Sequence, residues 1–136
     1  MSSPPALMAV GLQARRVFEV VELDTARALG SGSVPVLGTP RLLAWMEEVT
    51  VAALGPALRD SDTSVGSAVE LAHLRPSAVG ARVSIQASVA SVEGAQVVLD
   101  VQATHGDGTT IGRGRITRTV VDREAFLDRV GPVNPG

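Results

Sequence analysis

The 136-residue sequence predicts an α+β fold in which a curved antiparallel sheet wraps one central helix. Three observations predict it. Apolar residues recur at helical spacing in one long stretch, about residues 39–54, and at a period of two through most of residues 64–121. The later period-two runs are separated by short turn signals, Glu93-Gly94 and Gly106-Asp107-Gly108, which suit antiparallel neighbours. The helical stretch is apolar around most of its circumference, so protein is expected to surround it on most sides.

Residues 1–14 and 131–136, rich in Pro, Gly and Ser at their outer ends, are expected as flexible tails around a single domain at 15–130. Arg16–Leu23 (RVFEVVEL) is rich in β-branched and aromatic residues and reads as a first strand. Asp24–Gly30 reads as one helical turn capped by Asp24 and stopped by Gly30. After the small-residue loop Ser31–Gly38, Thr39-Pro40 starts the long helix, since threonine can cap and proline at the first position loses no hydrogen bond. Gly55-Pro56 ends it. On a wheel with Leu43 at zero, Arg41 and Glu48 fall together near about 150° and mark the solvated side. Strands are expected at Ser64–Leu74, Arg82–Ser91, Gln96–Thr104 and Thr110–Val121, the last three as a meander with one buried face. Asp122–Val130 reads as a short closing helix. This order of elements is the hotdog arrangement, and hotdog chains usually pair two sheets edge to edge, so a homodimer is expected.

Composition removes several chemistries. There is no cysteine, which excludes zinc-thiolate sites and thiol catalysis. All twelve basic residues are arginine, so lysine Schiff-base and P-loop chemistry are excluded too. A net charge of −2 with only three aromatics, Phe18, Trp45 and Phe126, is no nucleic-acid footprint. No run is long enough to cross a bilayer and no basic region precedes Ala6–Leu12, so a cytoplasmic protein without membrane partners is expected. No metal site and no cofactor are expected.

Four polar residues break the packing rules. Glu47 falls near about 40° on the wheel, inside the arc of Leu43, Thr50 and Leu54, where a carboxylate is desolvated unless it finds a partner. It is either an ion-paired structural residue or a catalytic one. His73 follows Val69 and Leu71 on one alternating face, so its ring is expected to point inward, as a satisfied core residue or as a base. His105, in the His105–Gly108 turn, is expected to be exposed. Thr39 is explained by capping alone unless its hydroxyl turns into a pocket at the helix N-terminus. Arg118 shares a strand face with Gly112, Gly114 and Ile116; the glycines suggest close approach of a backbone or ligand. Arg118 then binds an anion, pairs with a buried carboxylate, or makes an interface salt bridge.

The stretch Gly38–Glu48 (GTPRLLAWMEE), then Gly66–Pro76 (GSAVELAHLRP) and Ser91–Gly94 (SVEG), resembles the fluoroacetyl-CoA thioesterase family of hotdog proteins, over about Phe18 to Phe126. The resemblance implies a catalytic group of Thr39, Glu47 and His73, with Gly66 and Arg118 at the substrate. It implies an acyl-CoA substrate, coenzyme A entering as part of that substrate. Whether Glu47 attacks the carbonyl or activates a water stays open. Arg75, Arg82 and Arg113 are candidates for the coenzyme A phosphates. The family's fluoroacetate-selective members carry phenylalanines ahead of the threonine, whereas Gly30–Leu37 has no aromatic residue, so fluoroacetyl selectivity is not expected and a small or medium acyl group is. Two other functions fit less of the sequence. One is a non-catalytic acyl-CoA or small-ligand binding module; the other is an enoyl-CoA hydratase, which needs an aspartate–histidine pair that is missing here.

Overall fold

The structure, a computed structural model, describes residues 7–133. Strand β1 (Gln13–Glu19) leads through a 3-10 turn (Glu22–Asp24) into the one-turn helix α1 (Ala26–Leu29) and then the long helix α2 (Thr39–Leu54). Strands β2 (Asp62–His73), β3 (Arg82–Glu93), β4 (Gln96–Thr104) and β5 (Thr110–Asp122) come next, and α3 (Arg123–Val130) closes the domain. The strands form one five-stranded sheet in the order β1-β3-β4-β5-β2, antiparallel throughout. The α+β hotdog architecture expected from the sequence is therefore present, meander included.

The period-two runs put alternate residues against α2. Val83, Ile85, Ala87 and Val89 on β3, Val97, Leu99, Val101 and Ala103 on β4, and Ile116 on β5 are buried against Leu42, Trp45, Met46, Val49 and Leu54. Each fully buried aliphatic side chain contributes about 1.5–3 kcal/mol, so this face decides the register of every strand. Phe18 of β1 stacks on Trp45 with ring centroids 4.7 Å apart, fixing α2 against the sheet edge.

The glycines of β5 allow that strand's close contacts. A Cβ on Gly114 would collide with the backbone carbonyl of Glu70, and one on Gly112 would stand 3.0 Å from Leu42 Cδ2 and 3.3 Å from the Ala72 carbonyl. The close approach that Gly112 and Gly114 signalled is thus made by the neighbouring strand β2 and by α2. β2 is an edge strand, kinked by a bulge between Gly66 and Ala68, and Gly66–Glu70 are exposed along it.

Several boundaries differ from the sequence reading. β1 begins at Gln13, ahead of the domain boundary drawn at 15, and Met8 is buried in the core, so part of the expected tail is packed. Residues 1–6 and 134–136, the outer parts of both expected tails, lie outside the described residues. The first strand ends at Glu19, because β3 offers partners only from Arg82 onward and Asp24 Oδ2 accepts the Val21 amide, turning the chain. Asp24 is not the cap of α1; Thr25 is, its Oγ1 accepting the Ala28 amide. On α2 the exposed arc centres on Ala44 and Val51 rather than on Arg41, which instead places its Nε 3.0 Å from Asp24 Oδ1. No helix among the described residues is long and apolar enough to cross a membrane.

Candidate active site

Two clusters hold the candidate residues. The first lies where the start of α2 meets the end of β2. The residue outside the helix with extended backbone is Gly38, so Gly38, not Thr39, is the cap, and Thr39 is the first helical residue. That shift frees the threonine hydroxyl: Thr39 Oγ1 lies 2.7 Å from His73 Nδ1. Pro40 has no N–H, and the amides of Arg41 and Leu42 both bond the Gly38 carbonyl. Those two amides are therefore occupied, which leaves the Thr39 amide as the one facing the start of the helix.

His73 stands on the inner face of β2 opposite Gly112, as its alternation predicted. Its Nε2 is buried without a hydrogen-bond partner of standard geometry. Burial lowers its pKa from the ordinary 6.5, and the nearby Arg75 backbone works in the opposite direction. At neutral pH the ring is neutral and one nitrogen can accept a proton. Beside the pair opens a cavity of about 320 Å³, walled chiefly by Ala26, Val34, Val36, Leu37, Leu74 and Pro76, with Arg75 its only charged lining residue. The lining is apolar apart from Thr39, His73, Ser31 and Arg75.

The second cluster lies two turns along α2, about 12 Å by helix rise. Glu47 is half-buried, its side chain 38% exposed, with Oε2 3.4 Å from Arg118 Nη1. Arg118 itself is buried and doubly tied to β2, donating from Nε to Ser64 Oγ at 2.8 Å and from Nη2 to the Ser64 carbonyl at 3.0 Å. Burial lowers its pKa while the Glu47 charge and hydrogen bond raise it, and a guanidinium stays charged under both. Gly66 completes the cluster: a Cβ there would stand 2.6 Å from Glu47 Oε2. Within one chain Arg118 thus pairs with a carboxylate, the half-buried Glu47.

The chain thus joins Thr39 to His73 and Glu47 to Arg118 and Gly66, but keeps the two groups apart. Gly66 and His73 are seven residues apart on β2, roughly 20 Å of strand. A larger groove, about 840 Å³, lies on the opposite face of the sheet among Glu70, Asp100, Arg113 and Arg115 and contains none of the five site residues. Arg113 belongs to that outer face, away from the Thr39–His73 cavity, while Arg75 borders the cavity and donates to the Thr110 carbonyl. Sequence reading missed Ser64, the anchor of Arg118, and misplaced His105, which is half-buried with Nε2 2.7 Å from Ser77 Oγ. No spacing rule could have found either contact, since the partners are 54 and 28 residues apart.

The family model described as fluoroacetyl-CoA-specific thioesterase matches residues 20–124, a span that holds both clusters. The chain belongs to this family. Among curated proteins, the fluoroacetyl-CoA thioesterase of Streptantibioticus cattleyicolor is 31% identical over 100 residues, covering 74% of this chain and 71% of that one. A solved structure of a fluoroacetyl-CoA thioesterase superposes with a TM-score of 0.85 at 30% identity, covering 94% of this chain and 98% of that one. A hot-dog-like protein from Thermanaerovibrio acidaminovorans superposes with a TM-score of 0.83 at 30% identity, covering 91% of each chain. Crystal structures of variants of the fluoroacetyl-CoA thioesterase hold fluoroacetate with coenzyme A, or acetyl-CoA. In the stretch that borders the cavity, Ser31, Gly32, Val34, Val36 and Leu37 supply no aromatic ring.

Proposed function

We propose that this member of the thioesterase family hydrolyses small or medium acyl-CoA thioesters without fluoroacetyl selectivity, using Thr39, His73 and Glu47. The observation that carries the reading is the 2.7 Å contact between the Thr39 hydroxyl and a neutral, desolvated His73. A hydroxyl within reach of an imidazole, beside a partly apolar cavity, is the arrangement that acyl transfer needs.

With Nδ1 accepting from the Thr39 hydroxyl, Nε2 carries the proton of the neutral ring. Thr39 Oγ attacks the thioester carbonyl while its proton passes to Nδ1. The bond from carbon to sulfur then breaks, and His73 returns that proton to the departing thiolate. The Thr39 amide at the start of α2 stabilises the developing oxyanion. In the second half a water loses a proton to Nδ1, attacks the acyl carbon, and the proton goes back to Thr39 Oγ, releasing the acid.

Glu47 serves the second half by holding that water, and it comes from the partner of a homodimer. The exposed edge of β2 is a template for pairing with a second copy. Two β2 strands paired antiparallel about a two-fold axis near Val69 set Gly66 of one protomer against the Ala72–His73 end of its partner. Glu47, lying on Gly66, travels with it. Coenzyme A is bound as part of the substrate, with Arg75 the best-placed arginine. Residues Ser31–Leu37 offer no ring to clamp a two-carbon acyl group, which is why selectivity for fluoroacetyl is not carried over.

The test is thiol release from acetyl-, butyryl-, hexanoyl- and octanoyl-CoA, with intact-mass detection of acyl-enzyme. Wild type turns over; Thr39→Ala and His73→Ala lose nearly all activity; Glu47→Gln accumulates an acyl group on Thr39. Release no faster than in buffer sinks the thioesterase reading, and saturable binding without release identifies a binding module. An active Thr39→Ala enzyme with no acyl adduct overturns the covalent step.

A further inference from the structure

A second histidine–hydroxyl pair stands beside the cavity and takes no part in the acyl transfer. Ser77, in the loop between β2 and β3, is 1% exposed, and its Oγ lies 2.7 Å from Nε2 of His105 in the β4–β5 turn. The same residue's carbonyl accepts the Leu37 amide at 2.8 Å, and Ala78 bridges to Val36. Ser77 therefore knots three segments together: its own loop, the β4–β5 turn and the strip that runs through Leu37 and Gly38 into Thr39.

Both walls of the 320 Å³ cavity end in this knot. Leu74, Arg75 and Pro76 form one wall and lead directly into Ser77. The other wall, around Val34–Leu37, hangs on the Ser77 carbonyl and on Ala78, with its far side tied to α1 by Ala26 N to the Val36 carbonyl at 2.8 Å and Arg27 N to the Val34 carbonyl at 3.2 Å. Removing His105 leaves a buried hydroxyl without its partner, and such groups regain hydrogen bonds by shifting toward water. Such a shift of Ser77 weakens its hold on Leu37, while Thr25 and Asp24 keep Leu37 and Gly38 in place from the other side, so the Leu74–Pro76 wall draws away from the Val34–Leu37 wall and Thr39 stays where it is.

We infer that the Ser77–His105 pair sets the width of the acyl cavity, so that Ser77 and His105 are positioning residues that limit the acyl chains accepted. This rests on the cavity being the acyl site of the proposed thioesterase. The expected signature is a split between binding and turnover: Thr39 and His73 keep their own contact, so kcat changes little while KM for short chains rises.

The experiment compares wild type, His105→Ala, Ser77→Ala and His105→Gln, whose amide nitrogen can reach Ser77 as Nε2 does. Kinetics are taken on acetyl-, butyryl-, hexanoyl- and octanoyl-CoA, and hydrogen exchange is followed at the Leu37 amide. His105→Ala and Ser77→Ala are expected to raise KM for the short chains by about fivefold or more with kcat within about threefold of wild type. They move the preference toward longer chains and speed exchange at Leu37; His105→Gln restores both. Wild-type turnover combined with an unchanged chain-length profile and unchanged Leu37 exchange in folded His105→Ala or Ser77→Ala overturns the inference alone. So does a His105→Gln enzyme no better than His105→Ala, or a kcat loss equal at every chain length. Absence of wild-type turnover overturns the thioesterase reading and this inference with it.

Discussion

Replacing Gly66 by alanine adds one methyl group at the point where β2 touches Glu47. Its Cβ would stand 2.6 Å from Glu47 Oε2, whereas ordinary contact begins at 3.4 Å, so the carboxylate must retreat by most of an ångström. The retreat costs the fold little, because the obstacle is the end of a flexible side chain and Gly66 needs no left-handed backbone. Alanine also stiffens the unfolded chain by about 0.4–1 kcal/mol, against a half-exposed ion pair worth about 0–1 kcal/mol. Net stability should therefore stay within about 1 kcal/mol of wild type, a few degrees in Tm. Catalysis is more exacting: misplacing a reacting group by about 1 Å costs about 10²-fold, so turnover should fall by about 10- to 100-fold. Thermal melts and thiol release on one sample measure both. Gly114→Ala is the control, since its Cβ meets a backbone carbonyl that cannot swing away; it should lose several kcal/mol or fail to fold. Full activity in folded Gly66→Ala would refute the placement of Glu47 in the chemistry.

The same geometry fixes three further outcomes. Arg118→Met removes the cation that holds Glu47 but keeps the packing volume, so kcat should fall by about tenfold or more with KM nearly unchanged; a rise in KM alone would make Arg118 a substrate ligand instead. His73 favours its neutral form more in the folded state than in the unfolded chain. As pH falls below 6.5 toward the lower folded value, the unfolded state takes up the proton first and stability drops, while kcat/KM loses its base; melts and pH–rate profiles of wild type should show both, and His73→Gln should lack the stability change. Val69→Arg places a charge on the 47%-exposed edge of β2, and should give folded monomers with little activity; sedimentation showing a fully active wild-type monomer would exclude the composite site.

The layered fold was legible because burial dictates period, and period survives in one dimension. Inward alternation on β3, β4 and β5 and the glycines of β5 were readable for this reason. The site was legible only in part. His73 was placed by its alternation, but Thr39 in a Thr-Pro start reads as a cap, and only the backbone of Gly38 reveals that the cap lies one residue earlier. Glu47 was visible as a charge at the margin of an apolar arc; its partner Arg118, 71 residues away, was suspected as a type of contact and not as a pair. Contacts such as Ser77–His105 join two irregular segments, where no period exists to be read.

The stack of Trp45 on Phe18 gives the protein a built-in optical reporter. The chain has one tryptophan and no tyrosine, so its near-ultraviolet emission comes from a single indole on the helix that carries both Thr39 and Glu47. That indole is packed in the core, away from the cavity lining, so quenching or a wavelength shift on adding an acyl-CoA would signal movement of α2 against β1 rather than direct contact with ligand. Helix displacement during turnover can thus be followed in unmodified protein, without a label.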